Sequence, residues 1–264
     1  MEIDLRLLQR LVRDVVDTTL LPQFNNVKRQ YKKDGSIVTI ADQAMQHQLT
    51  AALAEAYPDI ALLGEEMPLQ QQQQLLDSGQ LLWCLDPIDG TSNFASGLPF
   101  FSISLALIEN GQVSLGLVYD PIMDESFTAK IGQGAWLNDV PLQAEQTGLT
   151  LEQSIALIDF KRLPATIASR LVSERPFGSQ RSLGSVALEL CWIAAGRAQL
   201  YLHGGQQLWD YAAAQLIIAE AGAYACTLEG EALFTNSLQQ RSTCAAVDKA
   251  LFDSWRSYLD GLPG

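Results

Sequence analysis

One stretch, residues 83–94, constrains this chain more than any other. It begins within a short, apolar, β-prone run, residues 81–85, which predicts a buried strand. Pro87 has no backbone N–H for a sheet ladder, so we expect the strand to end at Asp86. Asp86 and Asp89 would then lie just beyond the carboxyl end of a strand, where open α/β sheets usually bind their ligands.

The residues that follow suit an anionic ligand. Gly90 has a permissive backbone, and Thr91 and Ser92 add hydroxyl and amide groups that can bind an anion. Hard carboxylate oxygens beside such groups are typical of a Mg²⁺-dependent phosphate enzyme. Two other interpretations fit parts of the stretch. One is an Asx-type turn in which the acids only cap local amides. The other is a phosphotransferase motif, Asp-x-Asp-x-Thr, which fails because the two acids here are three positions apart.

The full stretch resembles the signature of a known family. It reads Asp-Pro-Ile-Asp-Gly-Thr over residues 86–91, followed closely by Asn93 and Phe94. This is similar to the pattern of the inositol monophosphatase family, within the lithium-sensitive, metal-dependent sugar-phosphatase superfamily. The resemblance implies an α+β fold, namely the layered αβαβα sandwich of the inositol monophosphatase and fructose-1,6-bisphosphatase type. It also implies a possible homodimer, although no feature of this sequence marks an interface.

Length, composition and charge narrow the class of protein. A chain of 264 residues can bury a large core as one domain or two smaller ones. Its 48% hydrophobic and 18% charged residues are ordinary for a folded soluble protein. A net charge of −13 argues against nucleic acid or an acidic membrane surface as a partner. A small phosphorylated substrate would also be repelled, unless bound cations invert the local field.

The cysteines and the N-terminal residues indicate a cytoplasmic protein. The four cysteines are widely spaced in sequence, so no pair of them suggests a zinc site. Cys84 and Cys191 lie in apolar segments and are predicted to be small core residues. The first residues are rich in acids and lack a long apolar run, so we expect no signal peptide. No run approaches the ~18 apolar residues of a membrane span.

The N-terminal half alternates predicted helices and strands. Apolar spacing predicts an amphipathic helix over residues 3–21. Asp34-Gly35 predicts a turn before a short strand, residues 36–40. Asp42 would then cap a helix that runs to about Ala56. Asn110-Gly111 predicts a hairpin.

Three acids of this half gain roles from the resemblance. Taken alone, Asp42 is a helix cap, and Glu65 and Glu66 are solvated acids after a strand that ends at Gly64. The resemblance implies that Asp42 pairs with Thr91 and that Glu65 binds metal directly. It also implies that Glu66 does not bind metal itself but positions water. The glutamine run at residues 70–74 is expected to be a surface loop or helix start without a catalytic role.

The C-terminal half contributes the remaining candidates. Residues 181–190 open a predicted helix that runs to about Ala195, and their resemblance to the family's Gly-Ser-x-Ala-x-x-Leu element implies that Ser185 and Val186 lie near the substrate. Arg181 is either a substrate contact or a surface arginine. Asp210 lies at a predicted helix start. Taken alone it is interpreted as a helix cap, whereas the family resemblance implies that it is a metal ligand. His203 occupies a position where inositol-specific relatives tend to have Glu, and Gly204-Gly205 predicts that it lies in a loop.

These residues together predict a phosphatase. We expect residues 1–145 to form an α+β lobe with most metal ligands, and residues 146–264 an α/β lobe that contributes Asp210 and substrate contacts. The resemblance implies two or three Mg²⁺ ions per site, with Mn²⁺ as an alternative, held by oxygen ligands. The predicted metal ligands are Glu65, Asp86, the Ile88 carbonyl, Asp89 and Asp210; the catalytic residues are Thr91, Asp42 and Glu66; the substrate contacts are Gly90, Thr91, Ser92, Arg181, Ser185, Val186 and His203.

The predicted reaction is hydrolysis of a small sugar or polyol phosphate, such as inositol monophosphate, by direct attack of metal-activated water. No phosphoenzyme is expected, because no nucleophilic side chain occupies the motif. The alternatives are the same chemistry on 3′-phosphoadenosine phosphate, fructose 1,6-bisphosphate, histidinol phosphate or NADP. Another alternative is a non-catalytic regulatory protein that retains the fold.

Overall fold

The structure, a computed structural model, describes residues 3–24, 30–31 and 37–262. The predicted turn at Asp34-Gly35 lies outside these residues. The helices are α1 (Leu5–Val15), α2 (Ile40–Ala56), α3 (Leu69–Asp77), α4 (Thr91–Phe94), α5 (Ala165–Glu174), α6 (Val186–Ala194), α7 (Leu208–Ala221) and α8 (Lys249–Asp260). The strands are β1 (Gln30–Tyr31), β2 (Ile37–Val38), β3 (Ala61–Gly64), β4 (Leu82–Asp89), β5 (Ser102–Glu109), β6 (Gln112–Asp120), β7 (Glu125–Lys130), β8 (Gly134–Leu137), β9 (Val140–Leu142), β10 (Ile155–Asp159), β11 (Ser179–Arg181), β12 (Leu200–Gln206), β13 (Tyr224–Cys226) and β14 (Arg241–Ala246).

Two large sheets form the framework. The first has seven strands in the order β3-β4-β5-β6-β7-β8-β9, and only β3 and β4 within it are parallel. The second has five strands in the order β11-β10-β12-β14-β13, with β10 parallel to both of its neighbours. A further pair, β1 and β2, is antiparallel.

Helices and sheets stack in five layers. α1 and α2 pack on one face of the seven-stranded sheet, and α6 and α7 pack on the other. The five-stranded sheet covers the far side of the α6–α7 layer, and α8 packs on the outer face of that sheet. The αβαβα sandwich predicted from the sequence is confirmed.

Strand β4 shows how the sequence produces this layering. All of its residues are buried. Alternate side chains point to opposite faces, so Trp83 and Leu85 join the core under α1 and α2, whereas Leu82 and Cys84 join the core against α6 and α7. A strand covered on both faces reads as a continuous apolar run, as this one does.

The predicted end of β4 at Asp86 is wrong. The strand continues through Pro87 to Asp89, and its register against β5 shifts between Asp86 and Asp89. A bulge of this kind leaves residues without a ladder partner, so the missing N–H of Pro87 costs no sheet hydrogen bond there.

Other local predictions are confirmed with changes at their ends. α1 continues through a π-helical turn, Val16–Leu20, which completes the predicted N-terminal helix. Asn110 and Gly111 both have positive φ and form the predicted hairpin turn. The glutamine run lies in α3, so it is helical. In the described residues, no helix has both the length and the apolar character needed to span a membrane.

Candidate active site

A cavity of about 590 Å³ opens where the end of β4, the N-terminal ends of α6 and α7, and β12 meet. Most of the candidate residues line it. They are Glu65, Asp86, Ile88, Asp89, Gly90, Thr91, Ser92, Ser185, Val186, His203 and Asp210. The fold therefore brings together segments that lie more than a hundred positions apart in the sequence.

The bulge in β4 sets the positions of the first two carboxylates. Asp86 pairs in register with Ser104, and Asp89 pairs with Ser102. The Asp86 carboxylate accepts a hydrogen bond from the Ile88 amide at 3.0 Å, which fixes the turn of the chain between the two acids. Both acids are buried.

Asp89 also joins the sheet to the start of α6. Its Oδ2 atom accepts hydrogen bonds from the Ser185 hydroxyl and from the Ala187 amide, each at 2.7 Å. A carboxylate is favoured at a helix N-terminus because the first amides lack intrahelical acceptors and the dipole is positive there. The Val186 amide adds a further hydrogen bond to the Asp89 carboxylate.

Asp210 and Glu65 reach the cavity from two other elements. Asp210 lies in the first turn of α7, where its Oδ2 accepts from the Gln207 amide at 2.8 Å, so it caps the helix as well as lining the cavity. Glu65 follows β3, and its amide donates to the Leu85 carbonyl at 3.1 Å. The buried Gln72 holds this segment by donating to the Gly64 carbonyl at 2.8 Å.

The predicted pair of Asp42 and Thr91 is present. The Thr91 hydroxyl lies 2.9 Å from Asp42 Oδ1 and 2.9 Å from the Ile88 carbonyl oxygen. Asp42 is not the N-cap of α2, because Thr39 holds that position and donates to Asp42 Oδ2 from both its amide and its hydroxyl at 2.7 Å. The carboxylate closes a capping box from the third helical position, so only Oδ1 faces Thr91.

Burial and mutual repulsion disfavour charge on the clustered acids. Burial, with the charges of Glu65, Asp89 and Asp210, raises the pKa of Asp86 well above its ordinary value. Burial likewise raises the pKa of Asp210, and the charges of Asp89 and Glu65 add to the effect. Burial raises the pKa of Asp89 to about 6, against the lowering effect of the Ser185 hydrogen bond.

Bound cations would offset the repulsion between the carboxylates of such a cluster. No lysine or arginine within the described residues forms an ion pair with Asp86, Asp89 or Asp210. The donors are hard oxygens, from carboxylates and the Ile88 carbonyl, which suits Mg²⁺ or Mn²⁺. In the described part of the chain, no three His, Cys, Asp or Glu side chains are already arranged to hold one ion.

Comparison with known proteins identifies the family. The sequence profile of the inositol monophosphatase family matches residues 3–259. The chain belongs to the inositol monophosphatase family.

Named relatives within the family include proteins of different roles. The Nus factor SuhB of Pasteurella multocida is 34% identical over 222 residues, covering 83% of this chain and 78% of its own. Inositol monophosphatase 1 of Bos taurus is 31% identical over 256 residues, covering 95% and 90%. Among solved structures, a Thermotoga maritima IMPase superposes with a TM-score of 0.83 at 29% identity, covering 97% and 96%.

His203 differs from its prediction. It lies on β12, not in a loop, and it is buried beside the cavity. Its Nε2 atom is 3.3 Å from Asp159 Oδ2, and its ring stacks on Tyr201. Gly204 and Gly205 lie within the same strand. Position 204 is a glycine because the Arg162 backbone approaches so closely that it leaves no room for a side chain there.

Three predicted residues do not line the cavity: Asp42, which contacts it only through the Thr91 hydroxyl, and Arg181 and Glu66. Arg181, on the edge strand β11, donates to the Ser179 hydroxyl and the Gln180 carbonyl oxygen, both at 2.7 Å. Glu66 faces α2 instead, where its amide donates to Gln46 Oε1 at 2.9 Å, although its charge still acts on Asp42.

Several cavity residues were not found from the sequence. Lys161 and Arg162 line the cavity from the turn after β10, and a basic pair directly after an apolar strand was the available signal. Glu189 is buried in α6, accepts from the Leu183 and Gly184 amides, and was detectable as an acid within an apolar helix. Asn93 donates to the Phe100 and Leu183 carbonyl oxygens, which ties α4 to the segment before α6.

Proposed function

We propose that this protein hydrolyses a small phosphomonoester, a sugar or polyol phosphate, in a Mg²⁺-dependent reaction. The observation that carries the proposal is the Thr91 hydroxyl, held 2.9 Å from Asp42 at the edge of the cavity that contains the carboxylate cluster. A hydroxyl backed by a buried carboxylate can take a proton from water, and the cluster can hold the cations that a phosphate requires.

The metal ligands in this proposal are Glu65, Asp86, the Ile88 carbonyl, Asp89 and Asp210. Bound Mg²⁺ would supply Lewis-acid polarisation of the phosphate and a lower pKa for water. Asp89 and Asp210 are each fixed by a helix N-terminus, so their carboxylates are oriented before any cation binds.

Thr91 and Asp42 would move the proton. The Thr91 hydroxyl donates to Asp42 Oδ1, so its lone pairs are free to accept a hydrogen bond from a water molecule in the cavity. As that water attacks phosphorus and the ester P–O bond breaks, the proton of the water passes to Thr91 and the Thr91 proton passes to Asp42, while the leaving alkoxide takes a proton from solvent. Burial raises the pKa of Asp42 above its ordinary value, which makes the carboxylate a better proton acceptor. Glu66 would assist through its charge.

The phosphate would lie against the start of α4. Gly90, Thr91 and Ser92 line the cavity there, and the first amides of a helix have no intrahelical acceptors. Gly90 has φ of 95°, and a Cβ atom at this position would lie 3.1 Å from the Gly184 carbonyl oxygen. Only glycine fits this turn without strain, so the backbone conformation that presents the amides depends on it.

A phosphate-release assay tests the proposal. The purified protein is given a panel of phosphomonoesters with Mg²⁺, with EDTA, and with added Li⁺, and Asp89→Asn is the matched variant. We expect Mg²⁺-dependent release that lithium inhibits and that Asp89→Asn abolishes without unfolding the protein. Near-normal turnover by Asp89→Asn would contradict the assigned site. No release from any substrate would favour a regulatory role, which the name of the Nus factor SuhB relatives also suggests.

A specific observation favours a second candidate, a substrate with a further anionic group. Lys161 and Arg162 are exposed at the cavity rim and form no ion pair within the described residues. Cations at the rim of a site in an acidic protein are suited to a second phosphate, as in fructose 1,6-bisphosphate or 3′-phosphoadenosine phosphate. The charge of Arg162 also acts on Asp159 and Asp210.

The two candidates are separated by kinetics on paired substrates. For a bisphosphate, we expect Lys161→Ala and Arg162→Ala to raise KM by about threefold to tenfold, as for solvent-exposed charge contacts. For inositol monophosphate, KM should stay unchanged. Arg181→Ala, which removes a cation outside the cavity, is the control. Equal effects on both substrates would remove the case for a second anionic group.

A further inference from the structure

Two cysteines far apart in sequence are direct neighbours in the five-stranded sheet. β13 is the edge strand and pairs antiparallel with β14, and Cys226 is the register partner of Cys244. Directly opposed residues of antiparallel strands have Cα atoms about 4.5–5.5 Å apart. Disulfides span Cα separations of about 4.4–6.8 Å, so the register places this pair within the range of a disulfide.

The two thiols interact and differ in character. The hydrogen bond from Cys244, together with the charge of the Arg256 guanidinium, lowers the pKa of Cys226 to about 7. Cys226 is only half-buried, so reagents in solution can reach it. Burial raises the pKa of Cys244 well above its ordinary value, so this thiol keeps its proton. One thiol is therefore poised to attack, and its neighbour is protected until attack has occurred.

We propose that Cys226 and Cys244 are a redox-active dithiol, which a low-molecular-weight disulfide converts to an intramolecular disulfide across β13 and β14. Both cysteines are free in the structure. The proposal is independent of the phosphatase proposal, because neither thiol lines the cavity.

The reaction balances in two exchanges. The Cys226 thiolate attacks one sulfur of the oxidant, RSSR, forming a Cys226–SR mixed disulfide and releasing RS⁻. The Cys244 sulfur then attacks the Cys226 sulfur, the second RS⁻ leaves, and the Cys244 proton passes to it. Including the proton lost earlier by Cys226, the dithiol is oxidised by two electrons and RSSR is reduced to two RSH.

The other two cysteines supply an internal contrast. Cys84 and Cys191 are fully buried, and burial raises the pKa of each thiol. Cys84 lies on β4 in the other sheet, and Cys191 lies on α6. Low thiolate content and lack of access predict that neither reacts under native conditions.

The test uses the whole folded protein, reduced and then exposed to oxidised glutathione in EDTA. We expect the intact mass to fall by two hydrogen atoms, two of the four thiols to become unreactive to a thiol reagent, and peptide mapping to link Cys226 to Cys244. Excess dithiothreitol should reverse all three changes.

Single variants separate the two roles. Cys244→Ser removes the second exchange, so it should accumulate one stable glutathione adduct on Cys226. Cys226→Ser should form neither adduct nor disulfide, and the matched control Cys191→Ala should form the disulfide as the parent does. The proposal is overturned if the folded parent stays fully reduced, if it retains the glutathione adduct without closing the disulfide, or if mapping links other cysteines.

Discussion

At the residue scale, the proposed chemistry depends on the single hydroxyl of Thr91. Thr91→Val keeps the shape of the side chain but removes the group that donates to Asp42. We expect kcat to fall by about 10²- to 10⁴-fold, the usual contribution of a positioned proton acceptor. Thr91→Ser retains the hydroxyl and should stay within about tenfold of the parent. Initial rates at saturating Mg²⁺ check this, and equal losses in both variants would assign Thr91 a packing role only.

A second residue, Glu189, links pH to stability. Burial raises its pKa from 4.5 to about 7, so the folded state retains a proton that the unfolded state has released. Its contribution to the free energy of unfolding is therefore complete below about pH 4.5 and is lost as pH rises through about 7. The shift corresponds to a loss on the order of 3 kcal/mol.

Glu189→Gln removes this dependence while its carbonyl oxygen can still accept from the Leu183 and Gly184 amides. We expect the variant to lose less stability than the parent between pH 5 and pH 8 (approximate limits set by the shift). Urea denaturation in metal-free buffer measures it. Asp42, Asp86, Asp89 and Asp210 titrate in both proteins, so only the difference is informative. Glu145→Gln, at an exposed position, is the control, and identical slopes for all three proteins would refute the assignment.

The sequence predicted the carboxylates of the site but not the residues that support them. Asp86, Asp89 and Thr91 belong to one contiguous motif, so their proximity follows from the chain itself. Lys161 and Glu189 line the same cavity only because separate elements of the C-terminal half pack beside β4. The glutamine run that contains Gln72 was predicted to have no catalytic role. The sequence alone does not show that the Gln72 side chain donates to the Gly64 carbonyl oxygen.

At the element scale, the turn that carries Lys161 and Arg162 is held by a backbone contact with β12. A Cβ atom at Gly204 would lie 1.9 Å from the Arg162 carbonyl oxygen, whereas one at Gly205 would meet only the flexible Gln240 side chain, at 3.2 Å. We therefore expect Gly204→Ala to lower the free energy of unfolding by about 1–3 kcal/mol and displace the turn. Gly205→Ala should stay within about 0.5 kcal/mol of the parent.

Thermal and urea denaturation of the two variants check this prediction, and KM for a bisphosphate reports whether the turn has moved. Similar stability of the two variants would mean that the close contact at Gly204 is relieved without cost. A destabilised Gly204→Ala with unchanged KM would separate the packing of the turn from substrate binding.

Secondary-structure elements could be predicted where a local sequence pattern determines them. They could not be predicted where the pairing of strands determines them. The helices α1, α2, α6 and α7 were found because apolar spacing and capping residues are local signals. The strand through Pro87 and the strand that contains His203 were missed, because Pro and Gly signal breaks unless a bulge or a close backbone approach explains them. The opposition of Cys226 and Cys244 is a matter of register, which sequence spacing does not reveal.

At the scale of the whole molecule, the site lies between the two predicted lobes. Glu65, Asp86 and Asp89 belong to residues 1–145, and Asp210 belongs to residues 146–264. With a net charge of −13, the protein repels a phosphate at long range. Cations held at the junction would reverse the field locally and would at the same time bind to both lobes.

The packing between the lobes predicts how the molecule unfolds. α7 falls within residues 146–264, which are predicted to form the C-terminal lobe, yet it lies directly on the seven-stranded sheet. A Cβ atom at Gly116 of β6 would be 2.6 Å from the Ala213 carbonyl oxygen. Residues of both lobes therefore share one buried core. We expect a single cooperative thermal transition in EDTA, with equal calorimetric and van't Hoff enthalpies.

Mg²⁺ should raise the midpoint of that transition without splitting it, because the cations bind only where both lobes are folded. At about 100 times the dissociation constant, the expected gain is about 2.7 kcal/mol, and Asp210→Asn should reduce it. Scanning calorimetry of parent and variant, each with and without Mg²⁺, measures both effects. Two resolved transitions, with Mg²⁺ shifting only one of them, would instead mean that the lobes fold independently and that Asp210 is not a ligand shared across their junction.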